Sequence, residues 1–336
     1  MAQRTDWVDY AKGLGIILVV YAHLLSSGFH AHLHIQEYFF FLSDSIVYSF
    51  HMPLFFFLAG LFVEKSYNKR GAREFLVNKV KFIAYPYLLW SFLQASIELF
   101  FSKQSYRGIT LGDIMAIPYL PFSQFWFLYA LILMYVFYTL LSMFGRFAPP
   151  AMITVACVLF FYPINTDILA LHGFSTGFVF FVAAIFVREY LGNLEKNSIP
   201  AGITCILFLI LSGSGWYVFE RAIEPTRLTD GSHPFYFLYL AGVGITFCIG
   251  LAQFFAEKKC CRLIRIFGIY SLQIYLVHML AGVAARIVLL NIFSIENPVL
   301  HMIIGVCAGL IVPIALYKAA LKLNFPYLFE MRRMVH

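Results

Sequence analysis

The chain has 336 residues, of which 61% are hydrophobic and only 12% charged, with 38 phenylalanines. Soluble domains run at about half apolar and a quarter charged, so a water-facing surface cannot be built from this composition, which excludes a secreted disulfide scaffold, a disordered chain and an ordinary cytosolic enzyme. The formal net charge of +7 follows membrane topology, as the placement of the charges shows, and no nucleic-acid partner is expected.

Polar breaks divide the chain into apolar runs that read as ten transmembrane helices, near 11–29, 44–63, 82–101, 123–144, 151–163, 174–190, 200–219, 235–256, 264–290 and 299–321. A bilayer core of about 30 Å is the length against which such runs are judged. The expected fold is an all-α integral membrane protein, a single polytopic domain over 1–336 with no separate soluble domain. The first run is not read as a removable leader: Asp6, Asp9 and Lys12 crowd its start, and no small-residue cleavage pattern follows.

With both termini cytoplasmic, nineteen of the 24 basic residues fall inside, from Arg4 and Lys12 through the cluster Lys65–Lys81 to Arg332 and Arg333. Lys196 is also among them, whereas Lys103, Arg107, Arg221, Arg227 and Arg286 fall outside. That is a strong positive-inside bias. The expected location is a cell membrane, the inner one in a Gram-negative bacterium, with membrane lipid as neighbour and a homo-oligomer compatible with the composition. The segments 102–122 and 216–234 read as outer loops able to contact a large substrate.

Cys157, Cys205, Cys248 and Cys307 fall within runs, where a thiol packs as a small apolar group. Cys260 and Cys261 are too close for an ordinary bridge, and no C-x-x-C spacing supports zinc or a redox pair. His30, His32 and His34 would align three imidazoles only in an extended segment, and no metal is expected there.

Function must then come from polar groups that the membrane makes expensive. An ionisable side chain inside a bilayer costs at least about 2.5 kcal/mol, which marks it as functional by default. Lys12 and His23 are eleven residues apart, about three helical turns, so they share one face at a separation of about 16 Å. Asp9 lies three residues before Lys12, within reach of an ion pair. Taken singly, Lys12 reads as a snorkelling interfacial residue and His23 as a helix-packing hydrogen-bonder. On one stripe, with Gly13 and Gly15 permitting close approach, they favour a cavity in which an imidazole cycles a proton.

The stretch from Asp9 to His23, Asp-Tyr-Ala-Lys-Gly-Leu-Gly-Ile-Ile-Leu-Val-Val-Tyr-Ala-His, resembles the start of membrane acyltransferase family 3, particularly its fucose 4-O-acetylase-like branch. The family pattern is a basic residue, ten intervening residues and histidine. Lys12 to His23 has that spacing, although many members carry arginine at the first position, and lysine lacks its bidentate fork. Ser49 to Gly60 is similar to the family's second span, and Arg70-Gly71-Ala72-Arg73 resembles its R-x-x-R motif. Phe125 to Leu128 and Ser271 to His278 are weaker echoes.

The resemblance implies O-acylation of a sugar, with acetyl-CoA on the cytoplasmic side as acyl donor and a surface polysaccharide or lipid-linked glycan as acceptor. In that reading His23 is the general base, Asp9 orders Lys12, and Lys12 helps hold the donor. Arg70 and Arg73 suit the phosphates of CoA, because guanidinium binds phosphate through paired hydrogen bonds. His51 and Trp126, near the ends of their runs, and Ser271, Tyr275 and His278 are expected to line the acceptor site. The competing expectation is a flippase or exporter of a glycan intermediate. No repeated pair of Gly/Pro-interrupted runs supports it.

Overall fold

The structure, a computed structural model, describes residues 6–101, 109–164, 166, 168–193, 199–220 and 234–331. Arg4, Lys103, Arg107, Lys196, Arg221, Arg227, Arg332 and Arg333 lie outside the described residues, as do parts of the segments 102–122 and 216–234. Among the described residues there are helices and connections and no strand. In chain order the helices are α1 (Asp6–His30), α2 (Glu37–Tyr48), α3 (His51–Gly60), α4 (Val63–Lys79) and α5 (Tyr85–Phe100). They continue with α6 (Leu111–Ala116), α7 (Trp126–Ser142), α8 (Ala148–Phe161), α9 (Leu169–Asn193) and α10 (Ala201–Glu220). The last four are α11 (Pro234–Lys258), α12 (Arg262–Ile269), α13 (Ser271–Asn291) and α14 (Pro298–Lys322).

Among the described residues, seven helical stretches are long and apolar enough to cross a membrane: Asp6–His30, Glu37–Gly60, Ser123–Ser142, Leu169–Arg188, Pro234–Lys258, Ser271–Asn291 and Pro298–Lys322. The protein is all-α and multi-pass. The run expected at 82–101 contains α5, with 16 residues, and that at 151–163 overlaps α8, which has 14 and ends at Phe161. Within 200–219 the apolar stretch is Gly202–Ser214.

Three breaks have local causes. The second span starts at Glu37, earlier than its expected 44, and divides at Ser49–Phe50 into α2 and α3. Pro53 accounts for the division: it has no N–H for the Ser49 carbonyl, and its ring would clash there. The chain between α4 and α5 is a π-turn, Val80–Ala84, which ends two positions before Pro86. Within α4, Gly71 has φ 75° and ψ 163°, a backbone setting that only glycine adopts readily, and it separates Arg70 from Arg73.

The chain divides into two compact units, Met1–Leu61 with Ala183–Ala315, and Phe62–Val182 with Leu316–His336. The first is built around α1, which packs against α2, α3, α11, α12 and α13. Its tightest seam joins α1 to α12. A Cβ at Gly13 would collide with the Ile264 carbonyl, and one at Gly268 with the Asp9 carbonyl. Backbone therefore meets backbone, and dispersion and close packing replace the hydrophobic drive that lipid cannot supply.

In the second unit α7 packs against α4 and α8. Phe75, Tyr135 and Phe181 meet edge to face, with ring centroids 5.6–5.7 Å apart. Lys79 Nζ lies 3.7 Å from the Tyr135 ring centroid, a cation–π contact. The tail of the chain is tied to α5 by Tyr85 and Trp90, which donate to the carbonyls of Tyr327 and Leu328 at 2.7 and 2.8 Å. Of the thiols expected to pack inside spans, Cys248 is buried, whereas Cys157, Cys205 and Cys307 are exposed. On a helix face turned to lipid a thiol is as acceptable as any small apolar group.

Candidate active site

The first unit brings His23 and His278 together from opposite ends of the sequence. His23 is on α1 and His278, fully buried, on α13. His23 Nδ1 lies 2.9 Å from His278 Nε2, and the rings are near parallel with centroids 5.1 Å apart. The other nitrogen of His278, Nδ1, lies 2.8 Å from the Tyr275 carbonyl oxygen and 3.1 Å from that of Ile274. A carbonyl only accepts, so Nδ1 carries the proton and, in neutral His278, Nε2 is the acceptor. His23 Nδ1–H therefore donates to His278, which leaves the lone pair of His23 on Nε2. Two hydrogen bonds thus fix the tautomer of His23 and present its second nitrogen as a base.

His51 begins α3 at the break in the second span, not near an end of its run as expected. It is 1% exposed and donates through Nδ1 to the Val47 carbonyl at 2.7 Å. The Tyr48 ring meets its edge at 4.8 Å. The earlier start of the helix at Glu37 and the break forced by Pro53 together move this residue to mid-span. Tyr275 is buried one turn from His278, with ring centroids 6.0 Å apart, and half-buried Ser271 opens the same helix.

At the start of α1, Asp9 is 3% exposed and its Oδ2 lies 3.9 Å from Arg265 Nε. Arg265 also pairs with Asp6 at 2.6 Å. Lys12 follows one turn later, half-buried, on the helix that carries His23. Arg265 did not figure among the expected site residues. The nearest signal was Gly268 three residues on, the kind of small residue that lets one helix lie against another.

Arg70, Arg73 and Trp126 belong to the second unit. Both arginines are exposed, on either side of Gly71, and Arg70 Nη1 donates to Ser66 Oγ at 2.8 Å. Exposed guanidinium groups on a lysine-rich helix can take up phosphate oxygens, which is the chemistry a nucleotide-bearing thioester requires. Trp126 packs its indole against Gly173, where a Cβ would collide with the ring. Among the described residues no group of three or more His, Cys, Asp or Glu could hold a metal ion. His30 closes α1 with its Nδ1 2.8 Å from the Ser26 carbonyl.

Residues 5–318 match a family model described as an acyltransferase domain, and the chain belongs to membrane acyltransferase family 3. It is similar to the nodulation protein NolL of Sinorhizobium fredii, with 27% identity over 220 residues that cover 62% of this chain and 56% of the relative. The matched region thus spans little more than half of that relative's length. No solved structure is significantly similar to the chain.

Proposed function

We propose that the protein is an integral-membrane O-acyltransferase that moves an acyl group, acetyl foremost, from cytoplasmic acyl-CoA to a hydroxyl of a surface or lipid-linked glycan. Family membership supports acyl transfer, and the single observation that carries the mechanism is the His23–His278 hydrogen bond. His23 Nε2 accepts the proton of the acceptor hydroxyl as its oxygen attacks the thioester carbonyl carbon. The carbon–sulfur bond then breaks, and His23 returns the proton to the departing thiolate. His278 holds the ring in the required tautomer throughout. A route through an acyl group carried on His23 uses the same nitrogen.

Arg70 and Arg73 are assigned to the phosphates of the donor, and Lys12, ordered by Asp9, to the donor's approach along α1. His51, Ser271 and Tyr275 are assigned to the acceptor, as is Trp126. The positive-inside bias supports cytoplasmic termini, and the ten apolar runs support ten passes. The exporter reading keeps one observation, the interrupted second span at Ser49–Phe50. Mass spectrometry of surface glycans from cells with and without the protein separates the two. The enzyme reading expects an acyl mass increment per repeat unit only when the protein is present. Glycan lost from the surface but unchanged in mass would favour export and overturn it.

A further inference from the structure

The seam between α1 and α13 carries a second polar rung. Arg286 donates through Nη1 to the Ser27 carbonyl at 2.6 Å and to the Ser27 hydroxyl at 2.8 Å. Between the rungs Gly282 faces Leu24, and a Cβ there would collide with the leucine side chain. The missing side chain at Gly282 is what lets both His278 and Arg286 reach across to α1. Ser27 is one turn beyond His23, so the guanidinium meets α1 about 6 Å further along than the imidazole does.

Arg286 is half-buried inside a helix long enough to span the membrane, where a charge is costly and is normally matched. Among the described residues its partners are the two neutral oxygens of Ser27. Among the described residues no carboxylate pairs with it, whereas Arg265 in the same unit has both Asp6 and Asp9. The Ser27 carbonyl lies in the last turn of α1, and a cation there is favoured by the helix dipole. That interaction engages one nitrogen. Among the described residues nothing engages the planar fork of Nε and Nη2, and the chemistry that matches such a fork is a carboxylate or a phosphate.

We propose that Arg286 is an anion-binding residue of the acceptor site and that the acceptor carries a carboxylate or phosphate next to the hydroxyl presented to His23. The inference rests on His23 as the centre of acyl transfer. It adds the substrate class: an acidic sugar or a sugar phosphate in place of a neutral glycan. A lipid headgroup offers the same phosphate chemistry. The contact of the guanidinium with the α1 backbone turns it into the bundle and favours the acceptor.

The test uses full-length protein in a polyoxyethylene detergent free of sugar and phosphate. The probes are para-nitrophenyl β-glucuronide and para-nitrophenyl β-glucoside, and saturation-transfer NMR reads their affinities. The wild type should bind the glucuronide at least about tenfold tighter than the glucoside, the scale of a charge-assisted pair. Arg286→Gln should bind the two alike, and Arg286→Lys, which keeps charge but loses the fork, should retain a reduced preference. Equal binding by the wild type, or an undiminished preference in Arg286→Gln, overturns the proposal. If Arg286→Gln does not fold, the lysine variant decides, because a preference equal to the wild type's would show that the fork is not used. Displacement of the glucuronide by phosphatidylglycerol and not by phosphatidylcholine would assign the anion to a lipid and overturn the acceptor assignment. A glucuronide preference without acyl transfer to either probe or to cell-surface glycan would sink the enzyme reading and leave the anion site standing.

Discussion

The proton on His278 Nδ1 is committed to the carbonyls of Ile274 and Tyr275, and that commitment passes through one hydrogen bond to His23. His278→Leu should therefore lower kcat about tenfold to hundredfold, the range for losing an orienting partner, with little change in acyl-CoA binding. His278→Gln should recover part of the rate, because its amide oxygen can accept from His23 Nδ1–H. Steady-state kinetics on the purified variants checks both, and equal rates for the leucine and glutamine variants would remove the tautomer argument. Exchanging Arg70 and Arg73 together for Gln should weaken acyl-CoA binding without affecting insertion. Calorimetric titration of acyl-CoA into the double variant reads this directly, and an unchanged affinity would end the donor assignment. The stripe of Lys12 and His23 was legible in the sequence because helical periodicity is local. The partnership of His23 with His278 was not, since the two are 255 positions apart and no local pattern encodes which distant helix a buried imidazole meets.

Helix pairing is decided by where side chains are missing. The seam of α1 with α12 depends on Gly13 and Gly268, each set against a carbonyl of the other helix. Gly268→Ala should destabilise the protein by about 1–3 kcal/mol, the usual scale of overpacking, and should disturb the Arg265 contact with Asp9. Gly242→Ala is the control, because nothing lies within 4 Å of the position a Cβ would take there. Thermal unfolding in detergent compares the two, and equal stability of both variants would contradict the packing account. Apolar runs located the helices well, since burial in lipid is written in composition. The breaks were missed where the apolar run continues through them, at Ser49–Phe50, in the turn before Pro86, and at Tyr270, which divides the run expected at 264–290 into α12 and α13. Pro53 and Pro86 were the available signals for the first two, because each removes a backbone donor and forces the preceding turn to adjust.

At the scale of the whole molecule, acyl transfer across a membrane needs donor and acceptor presented from opposite faces to one base. Topology comes first: a cysteine at Lys69 should react with an impermeant thiol reagent only from the cytoplasmic face, and one at exposed Met115 only from the other. Reversed labelling would invert the side on which the donor binds. Single-turnover acyl transfer in oriented proteoliposomes tests His23 as the base directly. Radiolabelled acetyl-CoA is supplied at the cytoplasmic face and extracted acceptor glycan at the other, with the wild type compared to His23→Gln. The wild type should give labelled glycan, and His23→Gln should lose about 10²–10⁴-fold of the rate with acetyl-CoA binding preserved. Labelling of the glycan by His23→Gln at the wild-type rate would contradict that role.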